Sequence, residues 1–243
     1  MEVTIKYTKH LKDIKLKDLL TFSKIDKENE QLIMYKAFEL FTNVKREHVN
    51  LIPYDVANET LKGITKTLET KTEDRRIVDI NGTLYGRIPN LETISFGEYI
   101  ELDTFITPLS SGEVNKDDIF KFMSCLYRPI VSHTNDIYSI QEFTNEYLDS
   151  EHWRLFQEHC PADIFANSVG FFLNLKIELL TAMKAFFLQA KVEGHENNLV
   201  KIGDGMEVLK RMQQANSNLL MKQVTTLLQL PSIHYPTMQM HEG

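Results

Sequence analysis

The chain has 243 residues, 42% of them hydrophobic and 25% charged, with a formal charge of −7. Such values exclude wholesale disorder and allow one large domain or two small ones. An acidic chain without a dense Lys/Arg run also lacks the basic face that binds duplex nucleic acid.

Ten glycines fall below the average of about 7% and favour helices over turn-dense β structure. Two cysteines, Cys125 and Cys160, stand outside any Cys-x-x-Cys pair, form no disulfide framework and suit a reducing compartment. The first residues, Met1-Glu-Val-Thr-Ile-Lys6, do not read as a signal peptide.

The first elements are helical. Leu16, Leu19, Leu20 and Phe22 share short-helix spacing, and the lysines from Lys6 to Lys17 form a solvated face. Lys27 to Phe41 is a stronger amphipathic helix, with Asp26 as the predicted N-cap. Pro53 opens a third helix to about Leu68, which Gly63 weakens by roughly 1 kcal/mol relative to Ala.

The β signal follows. Arg76–Ile80 and Thr83–Ile88 flank Asn81-Gly82, the pair that best tolerates the two positive φ angles of a type I′ hairpin turn. Ser95 with Glu98 three residues later is a capping box opening a helix through Phe96, Tyr99, Ile100 and Leu102. After the loop from Pro108 to Asn115, Asn115 caps a helix over Lys116 to Tyr127, and Pro129 stops it.

The polar stretch from Ser132 to Asp136 is the expected domain boundary. Beyond it, Ser139 and Glu142 form a second capping-box pattern opening a helix to about Leu148. Trp153, Leu155 and Phe156 suggest a short helix. Pro161 begins the longest one, to about Val192, and its apolar stretch from Phe171 to Leu188 is interrupted by Asn174, Lys176, Glu178 and Lys184. Those interruptions mark a buried helix rather than a membrane span. A last helix over about Asp204 to Leu230 ends before Pro231.

The expected fold is therefore mainly α with one small β-hairpin, a helical N-terminal module followed by a C-terminal long-helix bundle. Its predicted parts are an α+β module over 1–133 with the hairpin at 76–88, a helical domain over 134–230 and an extended tail over 231–243.

Reaction chemistry is weakly represented. His152 and His159 lie seven residues apart, roughly 10 Å along a helix and too far to share one ion. Cys160 before Pro161 sits where a helix dipole could lower its pKa, and Cys125 sits among core residues. Gly203-Asp-Gly205 lacks the strand, lysine and spacing of a phosphate loop, and Glu98, Glu101 and Asp103 suit a solvated face. No catalytic, cofactor or metal residue is assigned. Tyr235, Met238 and Met240 in the tail are candidate docking residues, because a terminus of this composition orders mainly when something holds it.

The segment Ile80-Asn-Gly-Thr-Leu-Tyr-Gly-Arg-Ile-Pro-Asn-Leu-Glu-Thr-Ile-Ser-Phe-Gly-Glu-Tyr-Ile-Glu-Leu-Asp103, with Phe122-Met-Ser-Cys-Leu-Tyr-Arg-Pro-Ile130, resembles a pattern in tail assembly chaperones and virion assembly proteins of tailed bacteriophages. The likeness spans about residues 10–131, and the helical part after 137 is unmatched. It implies a non-enzymatic structural or assembly protein working through protein–protein contacts at the tail, neck or portal vertex, with Tyr99, Tyr127 and Arg128 organising the N-terminal module. The implied partners are other virion proteins and further copies of the chain, with no direct nucleic-acid contact, membrane or cofactor. Location would be the host cytoplasm during assembly, and the virion for a permanent subunit. The alternatives are a transient tail assembly chaperone, an enzyme with a scattered site (Cys160 with His152 or His159) and a host-interaction protein.

Overall fold

The computed structural model describes residues 5–89, 94–108, 115–135, 137–144, 147, 151–192, 218, 222, 224 and 230–233. The predicted turn at 194–198 and the tail residues Tyr235, Met238 and Met240 lie outside them, as does most of the predicted last helix. The chain is mainly helical, with a four-stranded antiparallel sheet, and falls into two units. Of the described residues, the first unit holds 5–73, 158–164 and 230–233. The second holds those within 74–157 and 165–226.

The first unit is built on helices α1 (Leu16–Phe22), α2 (Glu30–Phe41) and α3 (Tyr54–Leu68). Ile14, Leu19, Phe22, Ile33, Phe38, Phe41, Leu61 and Ile64 form its core, with Phe22 set edge-on to Phe41 at 5.1 Å. The N-cap of α2 is Asn29, which accepts from Leu32 N at 3.0 Å, whereas Asp26 accepts from Glu28 N one turn earlier. Two later segments return to this core. Pro161 bridges Lys15, with Leu16 N donating to Cys160 O at 2.7 Å and Ala162 N to Ile14 O at 2.8 Å. Ile233 joins the same cluster. Gly63 now has a reason: a Cβ there would lie 2.3 Å from the Tyr7 ring, so close approach offsets its weak helix propensity.

The second unit contains strands β1 (Ile77–Ile80) and β2 (Thr83–Arg87), helices α4 (Phe96–Ile106) and α5 (Lys116–Leu126), and strands β3 (Tyr127–Thr134) and β4 (Ile137–Ile140). The sheet order is β1-β2-β3-β4, all neighbours antiparallel. Asn81 (φ 54°) and Gly82 (φ 82°) make the hairpin turn. Helix α6 (His152–His159) crosses into the first unit at Glu158. Helix α7 (Phe165–Val192) begins after a 3-10 turn over Ala162–Ile164 rather than at Pro161.

Three expectations are corrected here. The single hairpin is half of a four-stranded sheet. The pattern at Ser139 and Glu142 opens no helix, because Ser139 lies on β4 opposite Ser132 of β3. A division at 133/134 would cut the β3–β4 hairpin, and the chain divides instead at 73/74 and around 158–164. Pro129 stops α5 but then joins a central strand. Its carbonyl accepts from Gln141 N at 2.9 Å, but it has no N–H to return the bond, so the β3–β4 pairing closes there, one residue past the end of β4.

Candidate functional site

The two segments that carry the phage resemblance meet at one buried charge pair. Ser95 caps α4 by accepting from Glu98 N at 3.2 Å, and Glu98 Oε2 accepts from Ser95 N at 3.3 Å. The capping box thereby fixes the carboxylate and turns Oε1 toward Arg128, whose guanidinium stands 2.7 Å away. Both side chains are almost wholly buried, at 1% and 3% exposure. The approach is ionic: Glu98 Oε1 and Arg128 Nε have no hydrogen-bond partner among the described residues. Burial pushes the Glu98 carboxyl up against the pull of Arg128, and pushes the Arg128 guanidinium down against the pull of Glu98.

Arg128 has room because its cross-strand neighbour is Gly86. Over that glycine lies the Tyr138 ring from β4, whose hydroxyl donates to Arg87 O at 2.6 Å. Pro89, Ser95, Glu98, Arg128, Tyr138 and Phe143 help line an open cavity of about 350 Å³.

The opposite sheet face carries a second arginine. Arg87, 3% exposed, binds Asp74 through two bonds of 2.6 and 2.9 Å and lies 4.1 Å from the Phe171 ring centre. The hydrogen bond from Arg87 holds the Asp74 carboxyl below its usual range. Tyr127, wholly buried on that face, donates to Arg75 O at 2.9 Å and accepts from Ser168 Oγ at 3.3 Å.

The structure thus places Arg128 with Glu98, Tyr127 beside the Arg87 strand position, and Tyr99 against Phe172 of α7 at 5.8 Å, where burial pushes its hydroxyl up to about 12. All three are interior or half-buried, so their contacts lie within the unit. Glu98 is a correction to the solvated face expected for Glu98 and Glu101. Asp103 binds Lys176 of α7. Asp74, Arg87 and Tyr138 went unread in the sequence. A glycine inside a strand, Gly86, was the one signal that a ring crosses there.

The residues of the scattered-site alternative have ordinary surroundings. His152 packs among Tyr85, Tyr147 and Phe156, and burial pushes its imidazole down. Cys160 is wholly buried, and its thiol donates weakly to Pro161 O at 3.6 Å. Cys125 is also buried, and its thiol is pushed up to about 12, which leaves no thiolate at neutral pH. Among the described residues, no group of three His, Cys, Asp or Glu could hold a metal ion, and no helix is long and apolar enough to cross a membrane.

The exposed surface is more distinctive. Beyond Ile130 the end of β3 and the turn after it stand out from the unit, while Tyr138 and Ile140 of β4 still pack on Gly86. Residues 131–135 are exposed whatever their parity, with Val131 at 65% and Ile137 at 80% exposure. A register shift between Ile130 and Ser132 makes Val131 the bulged residue. Comparison with protein-family models, curated proteins and solved structures finds no match to this chain.

Proposed function

We propose that the chain is a non-enzymatic structural or assembly protein that works through protein–protein contacts at the tail, neck or portal vertex of a tailed bacteriophage. The observation that carries the reading is the Glu98–Arg128 pair. It joins the Phe-Gly-Glu-Tyr and Leu-Tyr-Arg-Pro segments, so the two parts of the phage-like pattern form one structural centre. That centre's polar groups are engaged in caps and ion pairs rather than held ready for a substrate. Val131 and Ile137, on the paired strands β3 and β4, are 65% and 80% exposed, which suits a contact with another chain.

The test is mass spectrometry of purified particles from a phage that encodes the chain. A fixed copy number per particle is the expected result. Presence in infected cells with absence from mature particles would replace the virion subunit with a transient tail assembly chaperone. Unchanged particle yield after deletion of the chain would overturn both.

A further inference from the structure

We propose that the exposed β3–β4 arm pairs with the β1 edge of a second copy of this chain, extending the sheet head to tail from one subunit to the next. The inference deepens the assembly reading and rests on it for the idea that the chain's surfaces are built to meet other chains.

The argument begins with the arm's own stability. A two-stranded hairpin is marginal in water; here only Tyr138 and Ile140 of β4 pack back, on Gly86, while Val131 and Ile137 face solvent. Its outer strand, β4, is one outer strand of the four, and β1 is the other. With four antiparallel strands, β1 and β4 run in opposite directions. Joining β4 of one copy to β1 of the next therefore continues the antiparallel order while every copy faces the same way. Contacts of that head-to-tail kind close into rings under rotation.

The register follows from the faces. One antiparallel alignment overlaps all four residues of both strands: Ile137 opposite Ile80, Tyr138 opposite Asp79, Ser139 opposite Val78, and Ile140 opposite Ile77. Cross-strand partners share a face. In this alignment Ile137 and Ser139 fall with Val78 and Ile80 on the core face, while Tyr138 and Ile140 fall with Ile77 and Asp79 on the other. Two Ile–Ile pairs result. Just beyond the strands, exposed Gln141 comes opposite exposed Arg76, and exposed Glu142 comes opposite half-buried Arg75 with opposite charge. A pairing of β4 with β4 of a second copy has no such charge partner.

Cysteine cross-linking of the full chain tests this, since both native thiols are buried and contribute little background. Antiparallel partners lie about 4.5–5.5 Å apart at Cα, within disulfide reach. Arg76→Cys and Gln141→Cys, each alone, should give no cross-link under mild oxidation. An equimolar mixture should give a dimer, and the double variant a ladder or closed ring. Ile137→Asp should weaken self-association at least tenfold by light scattering. A monomer at every concentration, or no cross-link in the mixture, overturns the pairing. Covalent dimers from Ser139→Cys alone also overturn it, in favour of a two-fold β4–β4 contact. The particle analysis is scored separately: a virion subunit that gives no mixed cross-link loses this pairing and keeps the assembly role.

Discussion

Substituting Gly86 with Ala probes how the sheet is locked. A Cβ at that position would lie 2.5 Å from Tyr138 Cε2, 2.7 Å from Tyr138 Cδ2 and 2.8 Å from Ile140 Cγ2. Carbon atoms rest about 3.5–4.0 Å apart, so the ring must withdraw by about an ångström. It is not free to do so, because its hydroxyl donates to Arg87 O at 2.6 Å. Overpacking costs about 1–3 kcal/mol and a lost hydrogen bond about 1, so the expected destabilisation is about 2–4 kcal/mol. Trp153, the single tryptophan, belongs to the second unit, so a urea titration followed by its fluorescence reads that unit. At a slope of about 2 kcal/mol/M the midpoint should fall by about 1–2 M. In a Tyr138→Ala background the same substitution should cost at least about 1 kcal/mol less, the coupling expected of touching groups. A cost under about 0.5 kcal/mol, the range of an ordinary surface change, would refute the reasoning, as would equal costs in both backgrounds.

Gly82→Ala should cost about 1–2 kcal/mol by the same titration through backbone strain alone, because its φ is +82° and no atom lies within 4 Å; a neutral result would rule out the type I′ turn. Glu98→Leu should destabilise by about 3–5 kcal/mol by stranding Arg128, and adding Arg128→Met should recover much of that; two costs that simply add would contradict the buried pair. The folded Asp74 carboxyl sits below its ordinary value of 3.8, so it stabilises the fold above that pH and loses the effect as pH falls through the folded value. The stability gap between the native chain and Asp74→Asn should therefore be widest above about pH 4 and shrink in more acid solution; a gap constant from about pH 2 to 6 would count against the Arg87 bond. Neither cysteine should react with a thiol reagent in native protein, and both should react in urea, with rapid native labelling contradicting their burial.

Codes that act within a few residues were legible in the sequence. Asn81-Gly82 needs only its own two φ angles, and the Ser95–Glu98 box and the Asn115 cap each close within one helical turn. All three form as read, and the heptad-like stripes of α2, α3 and α5 likewise bury their apolar faces. Partners far apart in the chain were hidden. Glu98 was read as a cap and not as the counter-ion of Arg128, because only the return of β3 brings the two together. Arg87, Asp74 and Tyr138 were missed for the same reason.

Ser139 and Glu142 match the Ser95–Glu98 spacing, yet one pattern is a strand and the other a helix start. A capping box satisfies two backbone donors in either case. Pairing along β3 satisfies a whole row of them and adds the Tyr138 contacts across Gly86, so the non-local arrangement prevails. The sequence by itself determined the caps of α4 and α5, where the tight turn falls and which faces of α2, α3 and α5 are apolar, since these depend on neighbours along the chain. Tertiary structure alone decided the four-stranded sheet, the buried ion pair and the path by which 158–164 and Ile233 rejoin the first unit's core, since each depends on surface buried between distant segments.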